Sequence, residues 1–243
     1  MAHGSPTSLQ RLTDQAESRA AQTGPIAVHD EVNPCPLCGD PLYAWIALPA
    51  AGGEASVGMP LSALPDEERI LDRCESCGVA IEHGRKIDLL AEWEAVCRAG
   101  DGGGREIAVP NRASLQAAIG VEGWAAIGLS PGSLLFTPDS LRRLAALNGE
   151  PIEQMRWPRW GRTQGWMLQT LLNGLTFHPN FAREVQAGRL RRGSGRGAFR
   201  FYADAVVTIL GAPLIALVSF PLELLGAIFK RGGEITARTS KAT

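Results

Sequence analysis

Cys35-Pro-Leu-Cys38-Gly39 and Cys74-Glu-Ser-Cys77-Gly78 are two tight turns of one pattern, and their pairing decides the fold. Each turn aims two sulfurs at one point. The glycine after the second cysteine lets the backbone turn so that amide N–H groups approach the thiolates. Two such turns, brought together by strands, make a closed tetrahedral site for zinc. Zinc holds thiolates strongly, and its binding energy doubles as folding energy for a small element. The 35 residues between Cys38 and Cys74 exceed the tightest ribbon spacings, and a Gly-, Ala- and Pro-rich loop from Pro49 to Glu68 accounts for the excess. The competing readings are two redox CxxC pairs or coincidence. Four thiolates around one ion leave no position for water, so Cys35, Cys38, Cys74 and Cys77 are expected to hold a structural, not a catalytic, zinc. His83 lies close enough in sequence to compete as a ligand but reads as an exposed turn residue before Gly84. Cys97 reads as a small buried residue on an apolar helix face.

The rest of the chain places this site in a cell. The first 33 residues are polar and small, with no apolar segment of the kind an export signal needs, so a reducing, cytoplasmic compartment is expected, which favours metal over disulfide. The net charge of −1 gives no general attraction to nucleic acid, which is therefore not an expected partner. Hydrophobic residues at 45% and charged residues at 20% suit a chain that folds. The expected organisation is a disordered tail over 1–33, with a weak helix from Ser8 to Ala21, then a zinc ribbon over 34–86. A compact α/β region follows over 87–157, a basic and polar segment over 158–200, and an apolar helical hairpin with a C-terminal strand over 201–243. The predicted class is α/β in its α+β form.

Within the ribbon, Leu42–Leu48, Ile70–Arg73 and Val79–Glu82 read as strands. Ile87 to Ala99 reads as a helix, with Leu89, Trp93, Val96 and Cys97 on one face. The glycines from Gly100 to Gly104 end it, and Glu106–Val109 reads as a strand. Thr137-Pro138-Asp139-Ser140 is a helix start: a hydroxyl cap, a proline in the first turn and an acid near the positive end. Leu141, Leu144, Ala145 and Leu147 should form that helix's buried face, and Pro151–Trp157 and Glu234–Arg238 are further strands.

Ala205 to Leu222 runs 18 residues without a charge, the lower length for crossing a hydrocarbon core ~30 Å thick. Arg191, Arg192, Arg196 and Arg200 precede it, and Lys230 and Arg231 follow, as suits anionic headgroups. Gly211, Pro213, Pro221 and Glu223 speak against a simple span and for a bent or re-entrant hairpin in one leaflet. A true span and a buried or oligomer-forming helix pair are the alternatives. Trp157, Arg159, Trp160, Arg162 and Trp166 could stack on sugars or bases, but read better as a membrane-interface or packing belt.

The knuckles and the segments after them resemble a family. CPLCG followed by Arg-Cys-x-x-Cys-Gly is similar to the N-terminal zinc ribbon of a group of bacterial class I S-adenosylmethionine-dependent methyltransferases. The segments from Leu89 through Val109-Pro110-Asn111, Ala113–Gln116, Phe136–Arg143, Gln164–Trp166, Gln169–Asn173 and Arg231–Arg238 look like the C-terminal half of those enzymes. The resemblance implies that 87–157 is what remains of a methyltransferase-like α/β region, and that work near lipid-linked glycans is in the family's background. Two departures follow from it. Between Ile81 and Ile87 there is no room for the glycine loop and acidic strand end that hold such a cofactor, and Gly102–Gly104 precedes its strand instead of following one. At Gly132, Ser133 and Leu135 the imidazoles of the family pattern are missing. S-adenosylmethionine is therefore not an expected cofactor. The expected function is that of a non-catalytic, membrane-associated zinc-ribbon module at the inner face of the cell membrane, with a protein partner or second copy as further contacts. A methyltransferase that borrows its cofactor half from another chain, and a zinc-ribbon reader of nucleic acid, are the alternatives.

Overall fold

The computed structural model describes residues 33–48, 69–100, 104–127, 134–186, 188, 190 and 195–240. The expected tail helix, the long loop at 49–68 and the Gly132–Ser133 departure lie outside them.

The first sheet is the ribbon. Strands β1 (Leu42–Leu48), β2 (Arg69–Cys74) and β3 (Ala80–Glu82) pair antiparallel in that order, and a short strand, Leu134–Leu135, adds to β3. A bulge between Ala44 and Ile46 re-aims β1 at Trp45. Helix α1 (Leu89–Val96) is capped by Asp88, whose carboxylate accepts from the N–H groups of Leu90 and Ala91. The expected helix to Ala99 stops at Val96. Cys97–Ala99 is instead strand β4, with Cys97 opposite Ile107 and its N–H donating back to the Trp93 carbonyl. The glycine turn is in place, with Gly100 N–H donating to Gly104 O.

Strand β5 (Arg105–Pro110) then starts the second sheet, whose order is β4, β5, Glu234–Thr239, Ile152–Arg156, all antiparallel. We number the Leu134–Leu135, Ile152–Arg156 and Glu234–Thr239 strands β6, β7 and β8. A bridge between Asn111 and Phe136 joins the two sheets. The content is mixed α+β, with two small antiparallel sheets.

Helices α2 (Leu115–Gly120) and α3 (Pro138–Leu147) follow the chemistry of their caps. Ser114 Oγ accepts from Ala117 N–H, and Thr137 and Ser140 make a reciprocal capping box with Pro138 behind it. Leu141, Leu144 and Ala145 are fully buried as expected, whereas Leu147, in the last turn, is 57% exposed. They join Trp93, Phe136, Ile107 and Ile235 in one cluster that also contains Cys35, Cys74 and Cys77. The cysteine site is thus part of the main core.

The segment read as basic and polar contains α4 (Arg162–Asn173) and α5 (Phe181–Gln186). After it, α6 (Arg196–Val206), a π-turn (Val207–Gly211) and α7 (Ala212–Ile228) run on without a break. The expected hairpin is therefore a single rod. The π-turn sits just ahead of Pro213, where a missing N–H forces the acceptors to change register, and Pro221 is carried inside α7. A Schellman motif closes the rod: Lys230 takes φ 59°, Arg231 N–H donates to Gly226 O and Lys230 N–H to Ala227 O.

Candidate metal centre

The two knuckles fold alike. Gly39 N–H donates to Cys35 O at 2.8 Å and Gly78 N–H to Cys74 O at 3.0 Å. Cys35 N–H donates to Asp40 O and Cys74 N–H to Val79 O, which closes each loop. Both glycines sit at positive φ, 80° and 75°, where a side chain is strained. This superposition of two turns brings the sulfurs together crosswise: Cys35 Sγ lies 3.6 Å from Cys77 Sγ, and Cys38 Sγ 3.4 Å from Cys74 Sγ. All four sulfurs fall within 4.8 Å of one another, and three of the four cysteines are buried.

Those separations exclude disulfides, whose sulfurs are bonded at ~2.05 Å. They suit a tetrahedron: zinc–sulfur bonds of ~2.3 Å give edges of roughly 3.8 Å. The four cysteines could therefore hold one metal ion, and no water-binding position is left over. Their proton chemistry agrees. Burial pushes the Cys38 thiol up to about 11 and raises Cys77 further still. Burial also works against the Cys74 thiolate, but the Cys77 N–H and the Cys38 and Cys77 thiols outweigh it and bring Cys74 below its ordinary value. Burial thus opposes ionisation at Cys38 and Cys77 while hydrogen bonds favour it at Cys74, and a cation bound among them would displace the protons.

Residues outside the knuckles hold the second one in place, and sequence reading missed them. Thr137 Oγ1 donates to Cys77 O at 2.7 Å while also capping α3. Arg112 Nη1 donates to Gly78 O at 2.8 Å, and its guanidinium lies 4.2 Å over the Trp45 ring. Burial, with the nearby Arg73 charge, pulls Arg112 down to about 10. The helix-start motif marks Thr137 only as a cap and Arg112 carries no motif; the tertiary approach of β1, the Asn111–Ser114 turn and α3 brings them to the site.

His83 stands apart from the four sulfurs. Its Nδ1 is 2.7 Å from the buried Asp72 carboxylate, on the strand edge. Cys97 is also separate, half-buried in β4, with burial raising its thiol to about 11.

The second candidate surface is the rod. From Gly197 to Ile228 it is 32 residues long with a mean hydropathy of 2.2 in its most apolar window, of which 6% is buried. By length and composition that is enough to cross a membrane. One narrow strip faces the protein: Asp204, Ser219, Glu223, Gly226 and Ala227. Glu223 accepts from Gln116 Nε2 at 2.6 Å and Gly233 N–H at 2.8 Å, although burial pushes its carboxyl up. Asp204 accepts from the Phe177 and His178 N–H groups and faces His178 Nδ1 at 2.7 Å, which pins the 174–180 loop against α6. The opposite face exposes Ile209, Leu210, Leu214, Leu217 and Phe229, each about two-thirds or more exposed. Leu175 and Phe177 of the pinned loop are exposed as well, and Trp160 leans on Phe220 with ring centroids 5.5 Å apart.

A mixed α+β protein with a four-cysteine cluster that could hold a metal ion and one exposed apolar rod is the class these features define. Compared with known proteins, the chain matches no family model, no curated protein and no solved structure.

Proposed function

We propose that this protein is a zinc-stapled binding module that lies on the inner face of the cell membrane, with its rod in the plane of one leaflet. The observation that carries the reading is the rod: apolar, exposed on one side and packed against the protein on the other. A helix of 32 residues extends roughly 48 Å, longer than the ~30 Å hydrocarbon core. Both halves are tied down, α7 against α4 and α2, α6 through Asp204 and α5. Setting the rod upright would drag the polar side chains of α4 into lipid, including Gln169 and Asn173. Lying flat buries the leucines and leaves the metal centre in water. A lone exposed leucine gains about 1.5–3 kcal/mol on full burial, whereas a basic flank residue gains about 1 kcal/mol near an anionic surface. Insertion therefore dominates over charge, and adsorption should survive high salt.

Zinc is the ion the donor set favours, since four thiolates in a tetrahedron select a soft, four-coordinate metal. Zinc holds the scaffold and the scaffold presents the rod. The resemblance to methyltransferases supports descent from an enzyme whose cofactor half is missing, and makes the module non-catalytic.

Flotation of the full chain with phosphatidylcholine vesicles tests the membrane reading. Co-flotation that persists in high salt is expected, and Leu214→Glu combined with Leu217→Glu should abolish it while leaving bound zinc unchanged. A chain that stays in the aqueous phase, or that buries the rod in a lipid-free dimer, overturns the reading. Calorimetry with S-adenosylmethionine tests the non-catalytic part. Micromolar binding would refute it, and methyl transfer only with a co-purifying chain would replace it by the two-chain enzyme. Salt-sensitive binding of DNA or RNA would favour the nucleic-acid reader instead.

A further inference from the structure

A cavity of 280 Å³ opens beside the second knuckle, between β1, β2 and the turn into α2. Trp45, Arg73, Arg112, Ser114 and Arg231 stand in its lining, and no carboxylate does among the described residues. We propose that this pocket binds a phosphate-class oxyanion, either free phosphate or the headgroup of an anionic lipid.

Three arginines of like charge line this one small space, with Arg73 near enough to act on the Arg112 charge, and an anion placed among them would offset that repulsion. Arg112 is the most committed of them. It is fixed by the Gly78 carbonyl and the Trp45 ring, and its buried Nε has no hydrogen-bond partner among the described residues. Arg231 is held from the opposite wall by its Nε donating to Ala113 O at 3.3 Å. Arg73 reaches Glu75 at 3.4 Å on an exposed edge, which leaves most of its fork free. Planar guanidinium forks match the oxygens of a phosphate in pairs. The cavity falls just below the ~300–1,000 Å³ of pockets for drug-sized ligands, so it takes a phosphate and little more, not a nucleotide.

Its position links it to the rod. Arg231 is part of the cap that ends α7, two residues after the exposed Phe229. With the rod in a leaflet, the pocket lies at headgroup depth. Only this lipid arm rests on the membrane reading; the binding of free phosphate does not.

A competing role exists for Arg112 alone. It could serve as counter-charge to the thiolates, since it touches the carbonyl beside Cys77. Arg231 contacts neither knuckle and separates the two roles.

The test uses the zinc-loaded full chain in a nonionic detergent, titrated with inorganic phosphate by calorimetry. Saturable binding is expected, weakened about tenfold or more by Arg112→Gln and by Arg231→Gln, as the loss of a charge-assisted hydrogen bond predicts. Zinc content reports folding in each variant. If Arg112→Gln loses zinc, Arg231→Gln decides: unchanged phosphate affinity there overturns the proposal. Absence of saturable binding of both inorganic phosphate and a short-chain phosphatidic acid to the wild-type chain also overturns it. Competition by that lipid assigns the site to a headgroup, and phosphate binding without competition assigns it to the free ion. Should vesicle flotation fail while phosphate still binds, the membrane reading falls and the pocket stands.

Discussion

Gly39 and Gly78 have the same backbone angle and the same place in their knuckles, yet their surroundings differ. A Cβ on Gly39 would meet nothing within 4 Å, whereas one on Gly78 would come within 2.7 Å of Thr137 Cγ2. Gly39→Ala should therefore cost only the left-handed strain, about 1–2 kcal/mol. Gly78→Ala adds a clash with a threonine that is itself bonded to Cys77 O, and should cost more and lower metal affinity as well. Denaturant midpoints with a chelator competition would rank the pair, and equal effects would contradict the role given to Thr137. The thiols set a pH dependence. Cys38 and Cys77 are raised by burial, so both carry protons at neutral pH before an ion enters, and metal uptake must expel them. Apparent zinc affinity should fall as pH falls, with a slope above one proton per ion in a chromophoric chelator assay. The convergence of the four cysteines was legible in the sequence because knuckle spacing is a local property. Thr137 and Arg112 were not, because they reach the knuckle from about 60 and 34 residues away in the chain.

At the scale of elements, the strands and the α3 start followed local rules closely, while two helices did not. The α1 periodicity carried on through Cys97, but strand pairing with Ile107 took the last three residues. Gly211, Pro213 and Pro221 in the apolar run, with Glu223 just after it, suggest a bend. A π-turn absorbed the register change at Pro213, and Glu223 proved to be the residue that fixes the rod, through Gln116 and Gly233 N–H. Gly233 has no side chain because a Cβ would lie 2.3 Å from Gln116 Nε2. Glu223→Ala should destabilise the fold by about 1–3 kcal/mol by orphaning those buried donors, while Leu217→Glu, on the exposed face, should leave thermal stability within about 0.5 kcal/mol of the wild type. Melting both variants in detergent checks the contrast. If the leucine variant proves the less stable, the assignment of the two faces is reversed.

The four-cysteine cluster and the second sheet share one core, so the whole molecule should respond to a bound ion as a unit. If zinc is the ion held, removing it with a chelator leaves the cysteines packed against Phe136 and Leu141, in the cluster that also holds Ile235 of β8. Amide exchange along Glu234–Thr239 should then speed up together with that of β2 and β3; retained protection in β8 would show that the ribbon unfolds alone. The topology explains why sequence reading divided 34–86 from the rest: nothing local reveals that distant strands share a core. It has a further consequence for biosynthesis. Strand β8 lies between β5 and β7, so both wait with open edges until it emerges, roughly 120 residues after β5 has left the ribosome. The apolar rod is translated ahead of β8. A nascent chain thus offers its greasiest surface before its second sheet can close, and the first partner it meets, a bilayer or a chaperone, arrives before the architecture is complete.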